Sequence, residues 1–329
     1  MTRSGPLKKV SLAVLGLLAV AALAPRAAAQ SLPPQILALY PPDAGELVFV
    51  DMRALRGSPH YAKIKSQVLP ERFRALETYA GILGIDFDNE IHQMSWAFIG
   101  APAGQAAEFA GVAEGVFPPS EVAAKARAAK LTLTRWEGRA IVALGKNPQG
   151  KEFVFAFADD STAIFGFRPT VEAMLERHAR GGANLAGNAV VRALVDEVNS
   201  RAPLWLVTDA RYTTFALNQL LPEAKQVPGF DALATRLQSA ALRFDLRDGL
   251  RGQGAVRCQS SADALLLSTV LNAGLMYQTY RLNESNPDLA RVLKDLTVRQ
   301  QDTRLEMALT IRDADFVTLL AKNSFTLSF

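Results

Sequence analysis

The sequence predicts an α+β fold: mainly antiparallel sheets with helices packed on one face, arranged as two related β-α-β-β-α-β-β units. Three observations predict it. Short apolar runs, rich in β-branched and aromatic side chains, lie between turn residues, as buried strands do. Tight turns such as Glu137-Gly138 and Asp248-Gly249 join neighbouring runs, and strands joined that way pair antiparallel. The pattern of the first half then recurs in the second.

Taken in order, Ser31 to Ala44 is a proline-bracketed approach to the strand Leu47–Asp51 (LVFVD). A helix is expected from about Pro59, with Tyr61, Ile64 and Val68 on one side, and a second around Phe73–Leu83. Met94–Ile99 and Glu108–Val116 read as strands. Pro118-Pro119-Ser120-Glu121 opens a helix to about Lys130, because proline fits a first turn and an acid suits its positive end. Leu131–Trp136 with Arg139–Leu144, and Phe153–Ala158 with Thr162–Phe167, read as hairpins. Pro169–Arg180 is a helix stopped by Gly181-Gly182, and Ala189–Asn199 is another.

Leu204–Asp209 (LWLVTD) then repeats the apolar strand ending in Asp. Arg211–Leu221 is a helix, and Gln238–Leu246 pairs with Leu250–Cys258. Ser261–Tyr280 is the most apolar later segment and is expected to be a buried helix. Ser268, Thr269 and Asn272 interrupt it, which argues against a membrane span. A lipid- or partner-facing helix is the alternative. Leu296–Arg299 and Arg304–Ile311 close the second unit. The expected division is 1–29 as a signal peptide, 30–200 as the first unit with its hairpin and helical connection, and 201–329 as the second. Such units either share one sheet or stand as two lobes, and a groove between two lobes is a natural ligand site.

Charge and cysteine usage exclude several classes. The formal net charge is +4, but residues 1–29 hold four of the 36 bases and no acid. The rest balances 32 bases against 32 acids, so no basic field proposes nucleic acid as a partner. Lys8 and Lys9, the apolar run Val10–Ala24 and Ala27-Ala28-Ala29 form the three parts of a secretory signal, with cleavage expected before Gln30. After cleavage no transmembrane span is expected, and the location is periplasmic or extracellular. One cysteine, Cys258, excludes a disulfide framework.

The order strand-Asp, helix, Gly84-Ile85-Asp86, strand resembles that of uncharacterised bacterial exported proteins of a domain-of-unknown-function group. So does the later run from the hairpin through Asn184-Leu185-Ala186-Gly187-Asn188 to Pro203–Asp209. The resemblance spans most of the chain after the signal. It implies export and a duplicated α+β fold, and carries no catalytic residue across.

Site candidates are few. Asp51 and Asp209 close equivalent strands and would form an acid/base pair if those ends converged. Arg53 and Arg211, two residues on, offer a structural role for the same aspartates. Asp86, Asp88 and Glu90 form the densest acidic cluster, of the oxygen-rich kind that calcium prefers, but the glycine and distal glutamate of an EF-hand are missing. His60, His92 and His178 are scattered and match no catalytic motif. No cofactor is expected. The sequence therefore predicts a non-enzymatic exported envelope protein that binds a protein partner or apolar ligand. The alternative is a periplasmic hydrolase using Asp51 and Asp209 in an inter-unit cleft. A third reading is a calcium-stabilised module.

Overall fold

The computed structural model describes residues 31–67, 71–100, 108–147, 149–199, 202–220, 229–322 and 324. The segment read as a signal peptide and its cleavage site lie outside the described residues.

The first half begins with α1 (Pro34–Leu37) and β1 (Ala44–Asp51), followed by α2 (Met52–Arg56), α3 (Tyr61–Gln67) and α4 (Glu71–Ile82). β2 (Ile91–Ile99) and β3 (Glu108–Gly115) pair with each other. α5 (Pro119–Ala128) leads to the hairpins β4 (Leu133–Trp136) with β5 (Arg139–Lys146), and β6 (Glu152–Phe157) with β7 (Thr162–Phe167). α6 (Arg168–Arg180), a 3-10 turn at Leu185–Gly187 and α7 (Ala189–Val198) connect to the second half. That half comprises β8 (Leu204–Asp209), α8 (Ala210–Leu220), α9 (Phe230–Ala234), β9 (Leu237–Asp245) and β10 (Leu250–Cys258). It continues with α10 (Ser261–Ser285), α11 (Pro287–Leu293), β11 (Thr297–Gln301), β12 (Arg304–Ile311) and α12 (Asp313–Ala321).

The strands form one antiparallel sheet of twelve, in the order β11-β12-β10-β9-β8-β1-β2-β3-β7-β6-β5-β4. The α+β class is as the sequence predicts, and both halves follow the β-α-β-β-α-β-β order. They meet strand to strand: β1 and β8 are hydrogen-bonded neighbours, with Val48 opposite Leu206 and Phe49 opposite Trp205. Each half grows outward from that seam. In the first, the β6–β7 hairpin lies between β3 and β5; in the second, β12 pairs directly with β10. Of the two arrangements open to the units, the described residues show the shared sheet, so a backbone ladder and not a groove joins the two halves.

The helices cover both faces of the sheet, where the sequence reading placed them on one. The reason is visible in β1. Val48 and Val50 enter one core, with α2 to α5, α11 and α12; Leu47 and Phe49 enter the other, with α1, α6 and α7. Successive side chains of a strand point to opposite faces, so an unbroken apolar run is a strand covered on both sides. A third cluster joins Leu217, Phe230, Leu233, Val256, Cys258, Leu267 and Leu305 under α8 to α10.

At the β10-β12-β11 end the layering changes. α10 packs on one face through Leu267, and on the other α7 reaches the strands through the charged side chain of Glu197. That face alternates small and charged residues. Ala241, Ala255 and Ala308 floor a concavity of about 390 Å³, walled by Glu197, Arg243, Arg299, Arg304 and Glu306. Glu197 of α7 ties the concavity to the sheet by pairing with Arg257 at 3.0 Å and with Arg304.

Two glycines are required by backbone geometry. Gly249, at φ +89°, turns β9 into β10, and a Cβ there would meet the Ile311 carbonyl oxygen at 2.4 Å. Gly166, at φ +144°, lets β7 approach β3, where a Cβ would meet the Phe109 carbonyl oxygen at 2.4 Å.

The seam between halves is packed by Phe49 and Trp205, both fully buried and stacked with centroids 5.3 Å apart. Replacing Trp205 with Ala should cost about 3–5 kcal/mol. Denaturant unfolding followed by far-UV dichroism and by proteolysis within each half should then show both halves lost together. Separate transitions would show that the halves fold independently.

Candidate functional site

α10 is the feature that sequence reasoning placed wrongly. It was expected to be buried, yet among its 25 residues only Asp263, Ala264 and Leu267 are. Its start is firmly fixed. Ser260 accepts a hydrogen bond from the Asp263 amide at 3.1 Å and donates its hydroxyl to the Asp263 carboxylate at 2.6 Å. Arg236 holds the same carboxylate at 3.0 Å. Val270 and Leu271 still touch the core under the helix. From there to Ser285 no residue is buried. At about 1.5 Å per residue the helix is roughly 37 Å long, so it outruns the cluster that anchors it.

The outward side is apolar. Among the described residues eight large apolar side chains are exposed, and five of them belong to this helix: Leu265, Leu266, Met276, Tyr277 and Tyr280. Met276 is 75% exposed and Tyr280 77%. No charged residue occurs between Asp263 and Arg281. An ordinary surface helix carries charges outward; this one carries Leu, Met and Tyr, residues that supply adaptable or rigid contact area at interfaces. Beside it, Leu275, Met276, Thr279, Tyr280 and Asn283 form a groove with Lys294, about 430 Å³ in volume. The sequence signal was present, as the long uncharged stretch. Apolarity alone cannot tell a buried helix from one awaiting a partner. No helix among the described residues is long and apolar enough to cross a membrane.

The carboxylates singled out from sequence are otherwise engaged. Asp51 and Asp209 do not converge. β1 and β8 run antiparallel, with Glu46 opposite Thr208 and Val50 opposite Leu204, so the two aspartates stand at opposite ends of the ladder. Five or six residues of extended strand separate them, roughly 15–20 Å. Each caps the helix that follows. Asp51 accepts from the Ala54 amide at 2.9 Å, and Asp209 accepts from the Tyr212 amide at 3.0 Å while pairing with Arg211 at 2.7 Å. Shared acid/base chemistry between these two groups is therefore ruled out by topology.

Asp86, Asp88 and Glu90 turn onto their own loop. Asp86 accepts from the amides of Asp88 and Asn89, and Glu90 from the amide of Asp86. Asp88 is held by Lys65 at 2.9 Å and Tyr61 at 2.6 Å. Burial opposes its charge, but those donors keep its carboxyl below the usual range. Among the described residues no three His, Cys, Asp or Glu side chains are grouped as metal ligands.

The histidines stay apart. His60 meets Asp313 at 2.7 Å and His178 lies 3.9 Å from Asp159. Burial, with the charges of Arg53 and Arg56, lowers the pKa of His92. Cys258 is buried, and burial pushes its thiol up to about 11, which keeps it protonated and unreactive at neutral pH.

A buried polar cluster went unnoticed in the sequence. Tyr40 bonds Ser95 at 2.7 Å, and Gln93 donates to Glu114 across the β2–β3 pair. Burial, reinforced by the charge of Asp159 and opposed by the Gln93 amide, raises the Glu114 pKa.

No family model and no curated protein matches the chain. A solved structure described as "Structure of crystal form I of TP0453" aligns over 90% of this chain and 99% of its own, at 11% identity and a TM-score of 0.49. A likeness that distant carries no function across.

Two outcomes are expected. Met276→Ser combined with Tyr280→Ser should leave the melting temperature within a degree or two of the parent, because nothing packs over these side chains; a large drop would place them in a core. Glu114 contributes its full stability below its unfolded value, about 4.3, and loses it as pH rises through its raised folded value. Glu114→Gln, which stays neutral, should therefore melt progressively higher than the parent as pH rises from 4 to 8. A constant difference would show that Glu114 is not raised.

Proposed function

We propose that this is an exported protein of the bacterial cell envelope, without catalytic activity, that binds a protein partner or apolar ligand through the outer side of α10. One observation carries the reading: Met276 and Tyr280 stand in solvent on a helix without charge between Asp263 and Arg281. Removing such surface from water is worth about 25 cal/mol per Å², and contiguous apolar patches on soluble proteins commonly mark interaction sites. Export rests on the basic, apolar and small-residue segments of 1–29 and on the resemblance to exported bacterial proteins. The hydrolase alternative required Asp51 and Asp209 in one cleft, and they stand at opposite ends of the β1–β8 ladder.

Native mass spectrometry on protein purified from the periplasm of a bacterial host tests the proposal. The denatured mass should correspond to a chain beginning at Gln30. The native mass should exceed it by a bound species, and the Met276→Ser/Tyr280→Ser form should lose that species. A bare chain under all conditions would overturn the binding reading, and an unprocessed chain would overturn export.

A further inference from the structure

The β9 to β12 end of the sheet carries a second feature, independent of α10. In the first half, the face under α6 is filled by Ile141, Val154 and Ile164. In the second half, β9 to β12 place small and charged residues on that face. Solvent exposure accounts for polar side chains there. It does not account for their arrangement around a hollow.

The strand register fixes that arrangement. In one row across the strands, Ala241 and Ala255 lie beside Glu306 and Arg299. In the next, Arg243 and Gln253 lie beside Ala308. Ala241 and Ala255 are buried at the floor, and the long side chains stand around them, which leaves the concavity of about 390 Å³. Small-molecule sites commonly measure ~300–1,000 Å³.

Charge on the walls is unequal. Three guanidiniums line the concavity, those of Arg243, Arg299 and Arg304, against two carboxylates, those of Glu197 and Glu306. Both carboxylates are drawn to Arg304. Glu197 pairs with it and, from outside the concavity, with Arg257 at 3.0 Å. Glu306 lies 3.1 Å from the Arg304 Nε, although its cross-strand neighbour is Arg299. Arg299, exposed on the outermost strand, makes no ion pair among the described residues.

Across the concavity, Arg243 donates from its Nε to the side-chain oxygen of Gln253 at 2.8 Å. With that oxygen occupied, the amide NH2 is the end of Gln253 left to donate. The concavity thus presents donors of β9 and β10 on one side and a guanidinium of β11 on the other. Three strand spacings, ~14 Å, separate β9 from β11, a gap that two arginine side chains and a small ligand can span together. Guanidinium forks match the paired oxygens of a carboxylate or phosphate, and the alanine floor accepts an uncharged carbon body.

We propose that this concavity binds a small organic anion, its carboxylate or phosphate held by Arg299 and Arg243 and its carbon body resting on Ala255 and Ala308.

Isothermal titration calorimetry at low ionic strength, with succinate and glycerol phosphate as separate probes, tests the site. One or both should bind once per chain, and which of them binds distinguishes a carboxylate ligand from a phosphate. Arg299→Gln and Arg243→Gln should each weaken binding about tenfold or more, as loss of a charged hydrogen bond does. Ala308→Leu keeps every charge and adds bulk at an exposed position. It should remove binding with an unchanged melting temperature, and Arg281→Gln, on α10, should bind as the parent does. Failure of both probes to bind would overturn the proposal. So would parent-like binding by Ala308→Leu, or a loss in Arg281→Gln as large as in Arg299→Gln, since either would mean attraction to net charge alone.

Discussion

The β1–β8 ladder is the constraint on which the rest of the molecule depends. It converts two similar units into one sheet, with Phe49 stacked on Trp205 where they meet. Because those strands are central, their side chains on both faces must be apolar and both faces must be covered. α2 to α5 with α11 and α12 supply one cover, and α1 with the linking helices α6 and α7 the other. The same ladder fixes the aspartates that end β1 and β8 far apart, each committed to starting a helix. A symmetric sequence feature thus has a symmetric structural purpose, the start of the helix that follows each strand.

Away from the seam the two halves diverge. The first half adds the β6–β7 hairpin and stays covered on both faces near it. The second half runs out to β11 with α10 on one side and a charged face on the other. Fewer apolar positions on β9 to β12 face that open side, and Glu197, Arg257 and Arg304 stitch it to α7 by charge. The thin end of the sheet is also where α10 projects beyond its anchoring cluster. Departure from the duplicated plan and exposure of apolar surface therefore coincide.

Much of the fold was legible in the sequence, for identifiable reasons. Leu204–Asp209 and Leu250–Cys258 were read with their observed limits, because short β-branched and aromatic runs between turn residues have few other solutions. Short helices were missed: Met52–Arg56, Phe230–Ala234, Pro287–Leu293 and Asp313–Ala321. They are two or three turns at most, too brief to display a helical period, and are held by packing and caps. The number of covered faces was misjudged although the runs themselves, apolar at consecutive positions, encoded it. The candidate site was half legible. The uncharged stretch of α10 was evident, but whether it faced core or solvent depended on how far the sheet extended beneath it. The Tyr40, Ser95, Gln93 and Glu114 cluster was invisible, since it is assembled across strands and loops distant in sequence.

The position of the seam also shapes how the chain reaches its native state. Phe49 and Trp205 are partners across more than 150 residues. When the first half emerges, the edge of β1 that will receive β8 is unoccupied, and the strand is apolar on both sides. Such an edge is a template for pairing with any extended chain nearby. Closing the ladder must wait for a distant segment, and long-range closures of this kind are slow. The centre of the finished sheet is therefore the last part of β1 to be protected, and the interval before β8 arrives is when the chain is most exposed to aggregation.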